Sequence, residues 1–420
     1  MTTANLYDIL TTRGLVAQTT DPDGIRQRLT QPLVAYCGFD PTADSLHVGS
    51  LVPIMGLAWL QRFGHKPIVL VGGGTGLIGD PSGKTVSRRM LTREQIDHNA
   101  RAIGDQIGRV VRFDDSPTGA VLVNNADWLC DLSWVDVLRD YGPHFSVNRM
   151  LTMDSVKNRI AAAQEGEGAG LSFLEFNYMV MQAIDFVHLH RAHGCTLQLG
   201  GQDQWGNIVM GIELGRRIEE VDLAGLTFPL VTKSDGGKFG KSEAGNIWLD
   251  ARKTSAYAFY QFWRNTPDAD VKRYLGYFTF LPQEEVDRLG ALAGQEANQA
   301  KEMLAYEVTK LIHGQGEADA ARDSAKRAFG AAADVTGDAI PHDLLPAAEL
   351  EPGLGLLTLL VRANLASSNS EARRLVKGGG VRIGDAKITD IQRSVTRADV
   401  TDGYLLLRVG KKKLFRFDVA

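Results

Sequence analysis

At 420 residues, with 44% of them apolar and 23% charged, the chain is long enough for two or three folded domains with a sizeable core. No apolar run approaches the length of a membrane span, and the polar start Met1–Asn5 lacks a signal peptide's basic and apolar regions, so a cytoplasmic location is expected. Cys37, Cys130 and Cys195 form no Cys-x-x-Cys pair, which fits a reducing compartment and argues against a cysteine zinc site; no resident metal is expected. The net charge of −4 is unevenly spread: residues 354–420 carry 13 Lys+Arg against 6 Asp+Glu, an excess of +7 that leaves −11 for the rest. A basic tail on an acidic body points to a polyanionic partner met at that end.

In chain order, Leu33–Phe39 predicts a short buried strand, broken by Asp40-Pro41 and followed by an apolar helix from about Leu46 to Phe63. Such a corner aims backbone N–H groups and the positive end of a helix dipole into one cleft. His47-Val48-Gly49-Ser50 adds an imidazole and a glycine there. Pro67–Val71 reads as a buried parallel strand, and Gly74-Thr75-Gly76-Leu77-Ile78-Gly79 follows it directly. That glycine spacing also occurs in dinucleotide-dependent oxidoreductases, but their fingerprint needs a helix opening on the glycines, and Asp80-Pro81-Ser82-Gly83 is a turn sequence. Gly83-Lys84-Thr85 copies the end of a P-loop, yet the position of the required first glycine holds Ile78.

Helices are expected at Arg93–Gly108 and Leu132–Asp140, with a strand near Val121–Val123. Leu171–Arg191 reads as an apolar-aromatic helix in which Tyr178, Gln182 and Asp185, at i, i+4 and i+7, share one face within roughly 60°. Three hydrogen-bonding side chains on such a face need partners, since each left unsatisfied costs about 1–3 kcal/mol. A ligand carrying an ammonium and a hydroxyl would supply them. His188, His190 and His193 close this helix without a carboxylate or cysteine at ligand spacing and read as a polar helix terminus. Thr196–Asn207 is a further strand, glycine turn and helix start, with Asp203 and Gln204 at the helix N-terminus. Alternating strands and helices over the first 230 residues imply an α/β fold with a doubly wound parallel sheet and ligands at the carboxyl ends of its strands.

The Tyr36–Ser50 stretch and Lys238-Phe239-Gly240-Lys241-Ser242 together resemble the "HIGH" and "KMSKS" signatures of class I aminoacyl-tRNA synthetases. The longer matches are similar to bacterial-type tyrosyl-tRNA synthetases over essentially the whole chain. The resemblance implies a nucleotide-binding catalytic domain over residues 1–250, a helical anticodon-side domain over 251–330, a linker over 331–353, and an α+β RNA-binding domain over 354–420. It implies ATP as substrate with Mg²⁺ carried on it, L-tyrosine and its tRNA as partners, and a homodimer. Carried over residue by residue, Tyr36 and Asp185 match the pair that binds the phenolic hydroxyl. Asp80, Tyr178, Gln182 and Gln204 match tyrosine-binding positions, the amino group included, and Asn125 lies beside that pocket. Gly38, Asp40, His47, Ser50, Gly201, Asp203, Lys241 and Ser242 match ATP-side positions. Thr42 and His47 would meet the γ-phosphate, and Lys84, Arg88, Lys238 and Lys241 the departing pyrophosphate. Ser50 departs from the His or Asn usual at the last "HIGH" position, and Gln164–Gly170 looks like an insertion.

Beyond Asp250, helical periodicity marks Thr254–Arg264, Ala269–Phe278, Pro282–Leu292, Gln299–His313 and Glu317–Phe329. Residues 354–420 predict helices at Leu356–Ala363 and Ser370–Lys377, then two strands about a Gly384-Asp385 turn. Arg373, Arg374 and Lys377 lie along the second helix and are the candidate RNA contacts. This segment resembles the small alpha-L RNA-binding domain. Taken alone it would describe a non-catalytic RNA-binding protein or an RNA-modifying enzyme; the polar constellation upstream argues for a ligase.

Overall fold

The computed structural model describes residues 5–80, 91–166, 170–234, 236, 239–242, 245–329, 341–410 and 413–420, excluding the side chains of residues 241, 242, 328 and 329. Two compact units are present, one of residues 1–239 with 267–293, the other of 240–266 with 294–420.

The first unit is built on a six-stranded sheet: β1 (Gln18–Thr19), β2 (Val34–Phe39), β3 (Lys66–Val71), β4 (Val121–Asn124), β5 (Cys195–Gly201) and β6 (Ala224–Phe228). Their spatial order is β1-β6-β5-β2-β3-β4, all parallel except β1, which runs antiparallel to β6. The chain steps outward from β2 to β3 and β4, then returns to the other flank of β2 with β5 and β6. The direction of winding therefore reverses between β2 and β5, the place where open α/β sheets leave a ligand crevice. Helix α1 (Leu51–Arg62) is buried over most of its surface. Gly56 is required within it, because a Cβ there would lie 2.1 Å from the Phe228 ring on β6. Helix α2 (Arg93–Ile107) opens on a reciprocal Thr92/Gln95 capping box. Helices α3 (Tyr178–His193) and α4 (Trp205–Ile218) pack along each other, and Gly194 ends α3 in the left-handed region at φ 67°.

Several expectations change here. The long helix expected over Leu171–Arg191 is two, Phe173–Phe176 and α3, with Asn177 between them. Ser172 and Glu175 cap the short piece reciprocally, which starts it afresh rather than continuing a run. Leu132–Asp140 forms only one α-turn, Trp134–Asp136, and a wider turn, Val137–Tyr141. Helices Val147–Leu151 and Asp154–Gln164 were not anticipated. A buried ion pair joins the second of these to the capped turn, Arg159 Nη2 to Glu175 Oε1 at 3.1 Å.

The boundary expected at residue 250 also moves. Helices Asp268–Phe278 and Gln283–Gly290 belong to the first unit. Buried Arg13 explains the attachment: it donates to the carbonyls of Gly276, Thr279 and Leu281, and its guanidinium lies 4.5 Å from the Trp59 ring on α1. The second unit keeps the helices Ala256–Arg264, Ala297–His313 and Gln315–Phe329, which pack on one another. It also contains a sheet of β7 (His342–Leu345), β8 (Val381–Ile383), β9 (Ala386–Ile388), β10 (Tyr404–Val409) and β11 (Lys413–Val419), in the order β9-β8-β10-β11-β7. Strand β7 pairs in parallel with β11, so the segment expected as linker over 331–353 ends before His342. Helices Leu356–Arg362 and Asn369–Lys377 cover this sheet through Leu359, Leu360, Ala372 and Val376, which share a core with Leu405, Leu407 and Phe417. The β8–β9 hairpin turns at Gly384, φ 56°, as the Gly-Asp pair predicts.

Candidate active site

A cavity of about 390 Å³ opens where the winding reverses, walled by β2 from Tyr36 to Phe39, by β5 from Gln198 to Gly201, and by α3. Tyr178, Gln182 and Asp185 all line it, so the shared helix face inferred from their spacing points into this space. Asp40, Asp80, Asp203 and Gln204 complete the polar wall.

Two polar clusters divide the cavity. In the first, Asp185 is buried and accepts hydrogen bonds from Asn125 Nδ2 at 2.9 Å and Trp128 Nε1 at 2.8 Å. Burial pushes its carboxyl up to about 7, opposed by those two donors and assisted by the charge of Asp40. The Tyr36 hydroxyl, also buried, has no hydrogen-bond partner among the described residues, and burial followed by the Asp185 charge raises it well above the usual phenol range. Gln198 stands beside Tyr36 in the β2–β5 register, and its Oε1 is likewise buried and unpartnered among the described residues. Unsatisfied polar atoms side by side on the sheet wall of a cavity call for a ligand with polar groups of its own.

The second cluster is a chain of hydrogen bonds. Tyr178 Oη donates to Asp40 Oδ2 at 3.0 Å, and Thr75 Oγ1 to Asp40 Oδ1 at 2.9 Å. Gln204 Nε2 donates to Asp80 Oδ2 at 2.6 Å, while Asn207 Nδ2 donates to both Gln182 Oε1 and Gln204 Oε1 at 3.1 Å. Burial, then the charge of Asp40, raises the Tyr178 phenol; burial, then Asp80, raises the Asp203 carboxyl. Four carboxylates line the cavity and no Lys or Arg does among the described residues, so its field favours a cationic group such as an ammonium. Among the described residues no group of three or more His, Cys, Asp or Glu is arranged to hold a metal ion.

Residues 27–330 match the family described as tRNA synthetases class I (W and Y), and residues 340–417 match the tyrosine–tRNA ligase SYY-like C-terminal domain. The chain is 50% identical over 406 residues to a tyrosine–tRNA ligase of Rhizobium meliloti, covering 96% of each. It is 48% identical over 417 residues to one from Clostridium botulinum, covering 99% of this chain and 100% of that one. The chain belongs to the class I tyrosyl-tRNA synthetases. A crystal structure of a C-terminally truncated mitochondrial tyrosyl-tRNA synthetase from Aspergillus nidulans superposes with a TM-score of 0.68 at 34% identity, covering 78% of this chain and 95% of that one.

Within this synthetase fold, the tyrosine-side residues expected from sequence converge: Tyr36, Asp80, Tyr178, Gln182, Asp185 and Gln204 all line one cavity. Of the ATP-side set, Gly38, Asp40, Gly201 and Asp203 line it too. Thr42 and His47 are exposed and are not part of its wall. The His47 imidazole accepts the Gly49 N–H at Nδ1, 3.0 Å, and glycine at position 49 leaves room for that ring, which a Cβ would approach to 2.7 Å. Ser50 stands at the N-cap of α1 but makes no side-chain capping bond. Lys84, Arg88 and Lys238 lie outside the described residues. Lys241 and Ser242 form a short ladder with Gly245–Asn246, and their side chains are not described. Asp203 falls in a 3₁₀ turn, Gln202–Gln204, and no side-chain bond caps the helix that follows it. Arg373, Arg374 and Lys377 are exposed on one helix.

Gln198, Thr75, Trp128 and Asn207 escaped the sequence reading. For Gln198 a signal existed, a lone amide in the otherwise apolar strand Thr196-Leu197-Gln198-Leu199. Trp128 and Thr75 act through bonds to Asp185 and Asp40 that no local pattern announces.

Proposed function

We propose that this chain is a tyrosine–tRNA ligase that activates L-tyrosine with ATP and passes it to the 3′ end of its tRNA. The observation that carries the reading is the pairing of an unpartnered buried phenol, Tyr36, with the buried acceptor Asp185 on the cavity wall. A substrate hydroxyl between them accepts from Tyr36 and donates to Asp185. Its ammonium then meets Asp80, Tyr178, Gln182 and Gln204, beside the carboxylates of Asp40 and Asp203.

In the first step a tyrosine carboxylate oxygen attacks the α-phosphorus of ATP, the bond from that phosphorus to the bridging oxygen breaks, and pyrophosphate leaves with its Mg²⁺. The carboxylate is already a nucleophile, so positioning and charge stabilisation suffice. An acidic cavity repels triphosphate, so in this reading that duty falls to cations outside its wall, Lys84, Arg88, Lys238 and Lys241, with Thr42 and His47 at the γ-phosphate. Gly38, Asp40, Gly201, Asp203, Ser50 and Ser242 serve the nucleotide. In the second step a terminal ribose hydroxyl attacks the mixed anhydride and AMP leaves. Arg373, Arg374 and Lys377 meet the RNA backbone.

A second copy of the chain is the natural cover for an exposed apolar face. Trp134, Leu138 and Phe173 lie open there, beside a groove lined by Val180, Met181 and Ile184 of α3. Met150 lies in the core. No helix among the described residues is long and apolar enough to cross a membrane, and the thiols suit a reducing cytoplasm.

Tyrosine-dependent ATP–pyrophosphate exchange tests the reading. Exchange with tyrosine, and not with phenylalanine or tryptophan, is expected; activation of tryptophan in preference would move the chain to the sister specificity.

A further inference from the structure

Helix Asp268–Phe278 presents Asp270, Arg273, Tyr274 and Phe278, at i, i+3, i+4 and i+8, along one face. Each holds part of the chain that leads into Lys238–Ser242. Asp270 is 1% exposed, and its Oδ2 accepts from the Ser234 N–H and the Ser234 hydroxyl, both at 3.0 Å. Its Oδ1 accepts from Arg273 at 2.6 Å, and the same Arg273 nitrogen donates to the Thr232 carbonyl. Tyr274 Oη donates to that carbonyl at 3.1 Å. Further along, the Phe239 ring stacks on Phe278 with planes 6° apart and centroids 5.6 Å apart, and meets Tyr274 edge-on at 5.1 Å.

The helix therefore grips the chain on both sides of Lys238, at residues 232–234 and at residue 239. Its other end is itself fixed, since Arg13 binds the carbonyls of Gly276 and Thr279 while stacked on Trp59 of α1. A buried carboxylate is costly unless its partners are good, and here they are two backbone positions of the leading segment, one reached directly and one through Arg273.

We propose that Asp270 is a positioning residue for adenylate formation, holding the segment before Lys238 at a fixed distance from the catalytic sheet. It touches no substrate and acts through Lys238. The proposal rests on the ligase reading above. Small displacements of a group acting on a transition state cost about 100-fold in rate, without altering the binding of a substrate that the group does not touch.

The test is single-turnover formation of tyrosyl-adenylate, with tyrosine affinity measured separately by equilibrium titration. Asp270→Ala is expected to slow the chemical step by about 30- to 100-fold and leave tyrosine affinity within about twofold of wild type. Asp270→Asn keeps an oxygen to accept the Ser234 N–H and recovers most of the rate. In a Lys238→Ala background the same Asp270→Ala change should cost less than about threefold, because it acts through a residue already removed. A folded Asp270→Ala enzyme with an unaltered rate overturns the proposal, as does a full additive loss in the Lys238→Ala background. Should Asp270→Ala fail to fold, Tyr274→Phe, which deletes the bond to the Thr232 carbonyl and keeps the ring, is expected to slow the step about threefold with the same unchanged affinity, and no change overturns the proposal. Absence of exchange in the unmutated enzyme overturns the ligase reading and this proposal with it; exchange there with no effect of Asp270→Ala overturns this proposal alone.

Discussion

The cavity between β2 and β5 and the basic face of helix Asn369–Lys377 use polar side chains in opposite ways. Around the cavity, Tyr36 and Gln198 are buried in the sheet wall and Asp185 in the helix wall, and their free energy depends on whether each finds a partner. On the helix, Ala372 and Val376 face the core while Arg373, Arg374 and Lys377 stand in solvent. Their interactions are long-ranged, weak one by one and screened by salt. Buried groups recognise one molecule by the penalty that a wrong one incurs, whereas exposed cations recognise a class of polyanion and set where it lands.

The sharpest way to break this contrast is to remove a buried member. Asp185→Ala deletes the carboxylate and strands the Asn125 and Trp128 donors, a combined loss of about 3–4 kcal/mol, or two to three powers of ten in kcat/KM for tyrosine. Phenylalanine, which offers Asp185 nothing, should lose far less, so discrimination narrows. Tyr36→Phe removes a single neutral hydroxyl and should cost about tenfold in the same ratio. Equal losses for the two amino acids in pyrophosphate exchange would mean that these residues shape the cavity without reading the hydroxyl.

The complementary experiment removes the exposed cations. A chain ending at Phe329 should form tyrosyl-adenylate at close to the full rate, while its KM for tRNA charging rises about tenfold or more at physiological salt; KM should climb with added salt more steeply for the intact chain than for the truncated one. The cut must precede His342, because β7 is a strand of the C-terminal sheet and a cut near Ala347 would leave it without β11. Reversing the charge of Arg373 and Lys377 together gives a milder version of the same result. Identical charging by both proteins across a salt series would remove the RNA-binding role from this domain.

The two regions were unequally legible in sequence. The C-terminal charge excess, the helix bearing Arg373 and the Gly384-Asp385 turn are local features, and the structure contains each of them. Strand β7 was invisible because its partner β11 lies about seventy residues away, and its four residues, His342–Leu345, carry no alternation. In the cavity, the i, i+4, i+7 spacing of Tyr178, Gln182 and Asp185 was readable because one helix carries all three. The bonds that tune them were not, since Asn125 and Trp128 reach Asp185 across 60 and 57 residues of chain. The assignment of helix Asp268–Phe278 to the first unit failed for the same reason: Arg13, which ties it down, is more than 260 residues earlier.

The smallest expected effect sharpens the contrast through pH. Burial raises the Asp185 carboxyl from 3.8 to about 7 in the ligand-free cavity. A tyrosine hydroxyl that donates to Asp185 favours the ionised form, so binding lowers this pKa. Affinity is therefore full above pH 7 and lost as pH falls through it, by about fourfold between pH 8 and pH 6.5. Free tyrosine has no group of its own titrating in that interval, so the slope reports the protein. The unliganded enzyme must show the opposite trend in stability. A carboxyl that holds its proton more tightly when folded than when unfolded makes the folded state less stable as pH rises from about 4 to about 7. Asp185→Asn should flatten both profiles, the affinity measured by equilibrium titration and the Tm by thermal unfolding without ligand. The exposed cations of the C-terminal helix carry no such signature, since Lys and Arg stay charged throughout this range. A titration of tyrosine affinity that survived in Asp185→Asn would move the proton to another group, with Asp203 next in line because burial and Asp80 raise it in the same cavity.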